Sequence, residues 1–453
     1  MTRNPLATWL LAAGMLALSG LTAAQPVGPG ADTFTLAAGG DMIGPYHAVD
    51  LADPGFAGIV ALFRGADLGF ANQEGSIFDM ETFAGYPAAE NGGGYPRQPA
   101  AAAQTIKAIG IGLVSKANNH ATDWGQDGLV ATLQSLAAAG VVEAGAGMSE
   151  AEARAPAYVQ TRGGLVALVD AASTFPPMAV AGPAVNRRGV ISRPRPGLSA
   201  LHVREVRLVS AAQLARLRAL PGALPSAPGE VRIGDQLFRA AKHPGTVWEM
   251  DQDDEAAILA AVREARAKAR YVIFSIHAHE TGGDVDDPGP GAWEPLVLHK
   301  ANEAPSPNDP RPAGFEPELF HAAIDAGADV VIRTGPHVTG GVEIYKGKPI
   351  FYSLGSLFFD FGGRRSFTSP GGETLTFPDA WFETILPVMS FDRGRLSEVR
   401  LYPLTIRSDS GVAERASGAD AARILSRLKA QSAAFGATVQ VEGAVGVIRP
   451  PPL

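Results

Sequence analysis

Leu113-Val-Ser-Lys-Ala-Asn-Asn-His120, continued by Ala121-Thr-Asp-Trp-Gly-Gln-Asp-Gly128, is the stretch whose reading decides the fold. A β-prone run stops at Asn118-Asn119-His120, and a helical spacing of apolar residues resumes at Leu129, Leu133 and Leu136. Gly140 stands where a helix C-cap is expected, and Val141-Val142 begins the next apolar run. The order is strand, loop, helix, strand. Such units build parallel sheets, whose ligands gather at the carboxyl ends of the strands, and the Asn-Asn-His triplet occupies such an end.

Working outward, other strands end in the same way. Thr33-Phe-Thr-Leu-Ala-Ala38 reads as a first strand that runs into Gly39-Gly40-Asp41. Asp67 to Ala71 is a short second strand ending in Asn72-Gln-Glu-Gly75, with a helix over Phe56–Phe63 between the two. Ala100–Ile109 is a helix pattern closed by Gly110, and the Gly- and Pro-rich residues 84–99 read as a surface loop. Downstream, Leu165–Val169 is an apolar strand without polar chemistry at its end. The helix over Asp254–Ala269 delivers Tyr271–Ile276, which ends in His277-Ala-His-Glu280. Residues 282–314 have no periodicity, which in a compact domain points to an ordered functional loop or a disordered one. The helix Pro317–Ala326, capped by Gly327, leads into Asp329–Ile332 and then Arg333-Thr-Gly-Pro-His337. Hairpin turns follow at Tyr345–Lys348 and Asp392–Arg395.

The composition sets the class. With 453 residues and 19% charged residues, the chain is globular and long enough for a sizeable core. A net charge of −8 argues against a nucleic-acid partner. Residues 1–24 read as a secretory signal: Arg3, then an apolar core from Trp9 to Leu21, then Thr22-Ala-Ala24. That core is too short for a comfortable membrane span, so the mature protein is expected to be periplasmic or secreted. There is no cysteine, so a packed core or a bound metal must hold the exported chain. Residues 174–245 break the rhythm and read as an insertion, and Arg187, Arg188, Arg193, Arg195, Arg204 and Arg207 lie within it. They form either a solvated surface or a basic wall for an anionic substrate, with Arg193 and Arg195 as its candidate contacts.

Five strands therefore end in groups that bind metal or move protons: Asp41; Asn72 and Glu74; Asn119 and His120; His277, His279 and Glu280; and His337. An oxygen and nitrogen donor set without thiolate suits Mn, Fe, Zn or Mg, as one ion or two. A bridging water would ionise near neutral pH, and His120 would protonate the leaving oxygen. His279 and Glu280 are further acid/base candidates, and Asn72 is a candidate substrate contact.

Gly40-Asp-Met42, Asn72–Gly75, Ala117-Asn-Asn-His-Ala-Thr-Asp-Trp-Gly125, Ile324–Asp329, Pro336-His-Val338 and Glu343–Ser356 resemble the CapA capsule-synthesis (poly-γ-glutamate) family. The resemblance spans roughly residues 34 to 405. It implies the calcineurin-like metallophosphatase fold: an α/β four-layer sandwich of two β-sheets flanked by helices. It also implies roles, with Asp41, Glu74, Asn119, His277 and His337 as metal ligands and His120 as proton donor. The chain departs from the family pattern in four places. No His lies two residues after Asp41, Thr334 and Gly335 stand where two histidines are usual, and Ser356 replaces an Asn. The expected organisation is a signal over 1–24, a CapA-like domain over 25–410 with the insertion 174–245, and a C-terminal helix and tail over 411–453. The implied function is synthesis, export or processing of an anionic surface polymer by metal-assisted hydrolysis, beside membrane-bound capsule-synthesis proteins. A non-catalytic polymer-binding subunit and a metal-assisted peptide epimerase are the alternatives.

Overall fold

The computed structural model describes residues 32–44, 49–280, 312–368 and 374–450. The expected signal, and nearly all of the aperiodic run 282–314, lie outside the described residues. Two sheets face each other. The larger has ten strands: Gln440–Glu442, Val445–Ile448, Arg395–Ile406, Glu383–Asp392, Thr33–Ile43, Leu68–Glu74, Ile111–Ser115 and Val142–Ala144 in spatial order, with Ser356–Phe359 beside Thr33–Ile43 and Ala413–Arg415 beside Arg395–Ile406. The second has six, ordered Val342–Tyr345, Lys348–Phe351, Val330–Thr334, Tyr271–His277, Gly164–Ala172 and Ala157–Thr161.

Period-two alternation assigns each strand face to a layer. Phe34, Leu36 and Ala38 of the first strand meet Val166, Leu168, Tyr271, Ile273, Val330 and Ile332 of the second sheet in the core between the sheets. The opposite face sends Ala37 to Phe56, Ile59 and Phe63 of the helix Pro54–Gly65. On the far side, Val272, Phe274 and Ile276 pack on Ile258 and Val262 of Gln252–Lys268 and on Leu319 and Phe320 of Phe315–Ala326. The layers run helix, sheet, sheet, helix, as the resemblance implies. Each fully buried large apolar side chain contributes about 1.5–3 kcal/mol, so this double core supplies what disulfides cannot.

Local chemistry explains the flanking helices. Asp53 caps Pro54–Gly65 by accepting from Gly55 N and Phe56 N, and Pro54 sits in the first turn, where its missing N–H costs nothing. Asp251 caps Gln252–Lys268 in the same way, with Asp253, Asp254 and Glu255 at its positive end.

Three elements differ from the sequence reading. The second strand runs on through Asn72 to Glu74, so those side chains share one face. Within the insertion only the part from 203 on forms a sheet of its own, five strands running to Met250 with the helix Ala211–Arg218, and Trp248 joins it to the main core. Gly197–Leu198 instead pairs with Ala146–Gly147 of the main body, and the neck closes where Asp251 N donates to His202 O. The segment from 411 on is part of the main domain. Its strands extend the large sheet, and Ile424 and Leu428 of Gly418–Ala433 enter the inter-sheet core.

Candidate metal centre

The first strand places Asp41 through a bulge. Ala38 pairs with Phe70 but Asp41 pairs with Asn72, so one extra residue lies at Gly39-Gly40. The bulge turns Asp41 onto the face of Asn72, toward the second sheet. It requires glycine: a Cβ on Gly40 would stand 1.8 Å from the carbonyl oxygen of Gly355, which accepts Asp41 N.

Asn72 and Glu74 follow on the neighbouring strand. Asn72 Nδ2 donates to Asp41 Oδ1 at 2.8 Å and lies 3.2 Å from His277 Nδ1, while its Oδ1 accepts from Ser115 Oγ and Asn118 Nδ2. It is fully buried with both ends engaged. Asn72, expected as a substrate contact, braces Asp41 against His277.

The second sheet brings its histidines to the same point. His277 Nδ1 lies 3.0 Å from Thr334 Oγ1, which leaves Nε2 3.8 Å from Glu74 Oε1 and 3.0 Å from His279 Nε2. Gly335 donates its N–H to Asp41 Oδ2 at 3.1 Å. With φ +115, and with a Cβ that would stand 2.7 Å from His279 Cδ2, it is also what lets that ring in. Thr334 and Gly335, where the family has histidines, thus orient one ring and make room for another. His337 has φ 56, an uncommon conformation for a non-glycine residue and one that clusters at functional sites. Its Nδ1 lies 3.2 Å from Asp41 Oδ2 and 3.3 Å from Ser356 Oγ.

Two donor groups result, and Glu74 belongs to both. Glu74, His277 and His279 offer atoms within 4.8 Å of one another, and so do Asp41, Glu74 and His337. Glu74 Oε1 and Asn119 Oδ1 are buried without a hydrogen-bond partner. Uncompensated buried oxygens of this kind are costly, and a cation at the donor groups would satisfy that of Glu74. The residues therefore fit a divalent ion of the oxygen- and nitrogen-binding class.

His120 sits at the rim. Its Nδ1 lies 2.6 Å from Asp123 Oδ2, and its Nε2 faces Glu74 Oε1 at 3.8 Å. Asp123 also accepts the N–H groups of Gly92 and Tyr95, and Asn119 Nδ2 donates to Gly92 O. The loop 84–99 is thereby pinned beside the two residues expected as ligand and acid.

Electrostatics match a site built for a cation. Burial, then the charge of Asp41, pushes the Glu74 carboxyl well above the carboxylate range. Burial also raises Asp41, but His337, Asn72 and the Gly335 N–H outweigh it and hold Asp41 below its ordinary value. Burial, then neighbouring imidazoles, drives His277 and His279 well below the usual imidazole range, so both offer lone pairs at neutral pH.

Not every candidate converges. Glu280 is buried beside the end of Gly164–Ala172, accepting from Ser173 Oγ at 2.7 Å and Thr174 Oγ1 at 3.2 Å, outside both donor groups. Burial lifts its pKa to about 7. That strand therefore does end in polar chemistry. Its Asp170 also accepts Lys116 N and Ala117 N under the Asn-Asn-His loop. Arg193 and Arg195 are exposed, and Arg195 Nε donates to Val180 O. Arg204 pairs with Glu230 and Glu249, and Arg207 with Glu205, so these two do not form a free basic wall. The sequence reading missed Asp123, Thr334 and the buried Arg333, which donates to Ala278 O behind His279. Asp123 follows His120 by three residues in a turn, and that spacing was its available signal.

Comparison with known proteins places this geometry. The family described as bacterial capsule synthesis protein PGA_cap matches over residues 35–302 and 299–361. The proteins y4sH and y4uA of Sinorhizobium fredii are each 33% identical over 482 residues, covering 96% of this chain and 96% of theirs. The PGA biosynthesis protein CapA of Bacillus subtilis is 50% identical over 42 residues, 9% of this chain and 11% of that protein. Among the described residues no helix is long and apolar enough to cross a membrane. A match over most of the chain, with the family's motifs gathered at one sheet edge, has one reading: the chain belongs to the bacterial capsule synthesis protein family PGA_cap.

Proposed function

We propose that the protein is exported by residues 1–24 and processes an anionic surface polymer, poly-γ-glutamate or a capsule chain, by divalent-metal-assisted hydrolysis. The observation that carries this reading is the position of Glu74, common to two donor groups that take one carboxylate and three imidazoles from other strands. Asp41, Glu74, Asn119, His277, His279 and His337 would hold the ion or ions. When bound, such an ion polarises the scissile group and makes an attacking water available near neutral pH.

The chain's own residues do the rest. Asp123 holds the Nδ1 side of His120, so Nε2 faces the site and delivers a proton to the leaving group. Asn72 and Gly335 fix Asp41, and Thr334 fixes His277. The name of the Bacillus subtilis relative, a PGA biosynthesis protein, supports polyglutamate as the substrate class, and capsule-synthesis proteins in the membrane are the expected partners.

The test is incubation of metal-loaded protein with poly-γ-glutamate, following chain length and new amino termini. Shortening that stops on chelation and in His120→Ala supports the reading. Polymer binding without metal-dependent cleavage would replace it with the polymer-binding subunit.

A further inference from the structure

Between Asp170 and Glu205 the chain carries no acidic residue, yet it holds Arg187, Arg188, Arg193, Arg195 and Arg204, in a protein of net charge −8. Within this stretch Asn186–Arg187 and Val190–Ile191 form a hairpin that pairs only with itself. Its turn residues Arg188 and Gly189 have φ 52 and φ 82, the left-handed pair of a tight two-residue turn. A lone two-stranded hairpin is marginal in water and keeps its form through what covers its apolar side chains. Here Val190 is 70% exposed, Ile191 71% and Val185 40%, and Arg188, Arg193 and Arg195 are exposed around them.

We propose that the hairpin 185–193 docks the protein on an anionic lipid surface. Val190 and Ile191 enter the apolar edge of the headgroup layer, and Arg188, Arg193 and Arg195 meet lipid phosphates. Both halves of the pattern point to this occupant. Cations draw a protein to an anionic leaflet, and exposed aliphatic side chains gain burial only if the surface has an apolar interior. A soluble polyanion would engage the arginines and leave Val190 and Ile191 in water. The proposal is independent of the metal centre, whose donors come from other elements.

The absence of cysteine permits a local test that any other membrane-binding segment would leave undisturbed. Val190→Cys, labelled with an environment-sensitive fluorophore, is mixed with vesicles of phosphatidylcholine with and without phosphatidylglycerol. Val441→Cys, exposed on the large sheet, is the control. A blue shift at position 190 only, requiring phosphatidylglycerol, is expected. Arg188→Ser with Arg193→Ser should raise the lipid concentration for half-maximal shift about tenfold, with an unchanged melting curve. No shift at position 190, or equal shifts at 190 and 441, overturns the proposal. So does a label that responds to polyglutamate and not to vesicles, which would make the hairpin a polymer contact.

Discussion

His120 Nδ1 lies 2.6 Å from Asp123 Oδ2, one turn further along the chain, and the opposite nitrogen of the ring faces Glu74. In the proposed mechanism the pair is a positioned acid: Asp123 accepts the Nδ1 proton and fixes the ring, and the imidazolium form presents its second proton, on Nε2, to substrate.

Asp123→Asn should therefore lower kcat about 100-fold while leaving metal content and KM nearly unchanged, as expected for loss of one positioned proton donor. Steady-state cleavage of polyglutamate, with metal analysis of the same sample, checks this. Loss of metal in step with activity would make Asp123 a scaffold for the 84–99 loop and nothing more.

Gly335→Ala introduces a Cβ at φ +115 that would stand 2.7 Å from His279 Cδ2 and 2.9 Å from Ala278 O. The ring must shift, and divalent-ion affinity should fall about 10- to 100-fold, the usual cost of disturbing a ligand's support. Titration calorimetry with Mn²⁺ or Zn²⁺ reads this directly. Unchanged affinity would remove His279 from the donor set.

How much of this was legible in the sequence depended on whether backbone direction alone decided the outcome. Asp41, Glu74, Asn119, His277 and His337 end strands, and parallel topology carries strand ends to one edge without help from side-chain detail. The bracing role of Asn72 is not legible because its partners come from elsewhere: Asp41 and Ser115 on neighbouring strands, Asn118 in the loop that follows, and His277 in the second sheet; only pairing register shows that both its ends are engaged. The bulge at Gly39-Gly40 is visible as two glycines, but which face Asp41 takes depends on pairing with Leu68–Glu74. Glu280 looked like part of the His277–His279 cluster by proximity in sequence. One residue further along, its carboxylate turns to Ser173 and Thr174 instead. The C-terminal segment looked like an appendage because its strands, Ala413–Arg415 and Val445–Ile448, are short, and their partner is the long strand Arg395–Ile406.

Glu143 predicts a pH dependence of stability. Burial raises its pKa from 4.5 to about 7, and its Oε2 has no hydrogen-bond partner. A carboxyl raised on folding stabilises the protein fully below its unfolded value and loses that contribution as pH rises through the folded value. Between about pH 4.5 and 8 this group should cost up to about 3 kcal/mol, and Glu143→Gln should flatten that part of the stability curve. Denaturant melts of both proteins across the range decide it; parallel curves would contradict the prediction.

Arg333 and Glu316 form an ion pair at 2.9 Å with side chains 1% and 0% exposed, and Arg333 also donates to Ala278 O. Neither Glu316 oxygen has an aligned hydrogen-bond partner, so the contact is mainly coulombic. Arg333→Met leaves a buried carboxyl uncompensated and should destabilise by about 3–5 kcal/mol, read as a fall in the urea midpoint. A loss of stability below about 1 kcal/mol would mean that Glu316 is already neutral in the folded protein.

In the proposed mechanism Asp41, Glu74, Asn119, His277, His279 and His337 form a divalent-metal centre, with His120 beside it and outside it. Metal content of protein incubated with Mn²⁺, Zn²⁺ and Fe²⁺ and then freed of excess ion tests this most directly. The account predicts at least one ion per wild-type chain, loss of metal in Asp41→Ala, Glu74→Gln and His337→Ala, and full retention in His120→Ala. A wild-type chain that stays metal-free under all three conditions would contradict it.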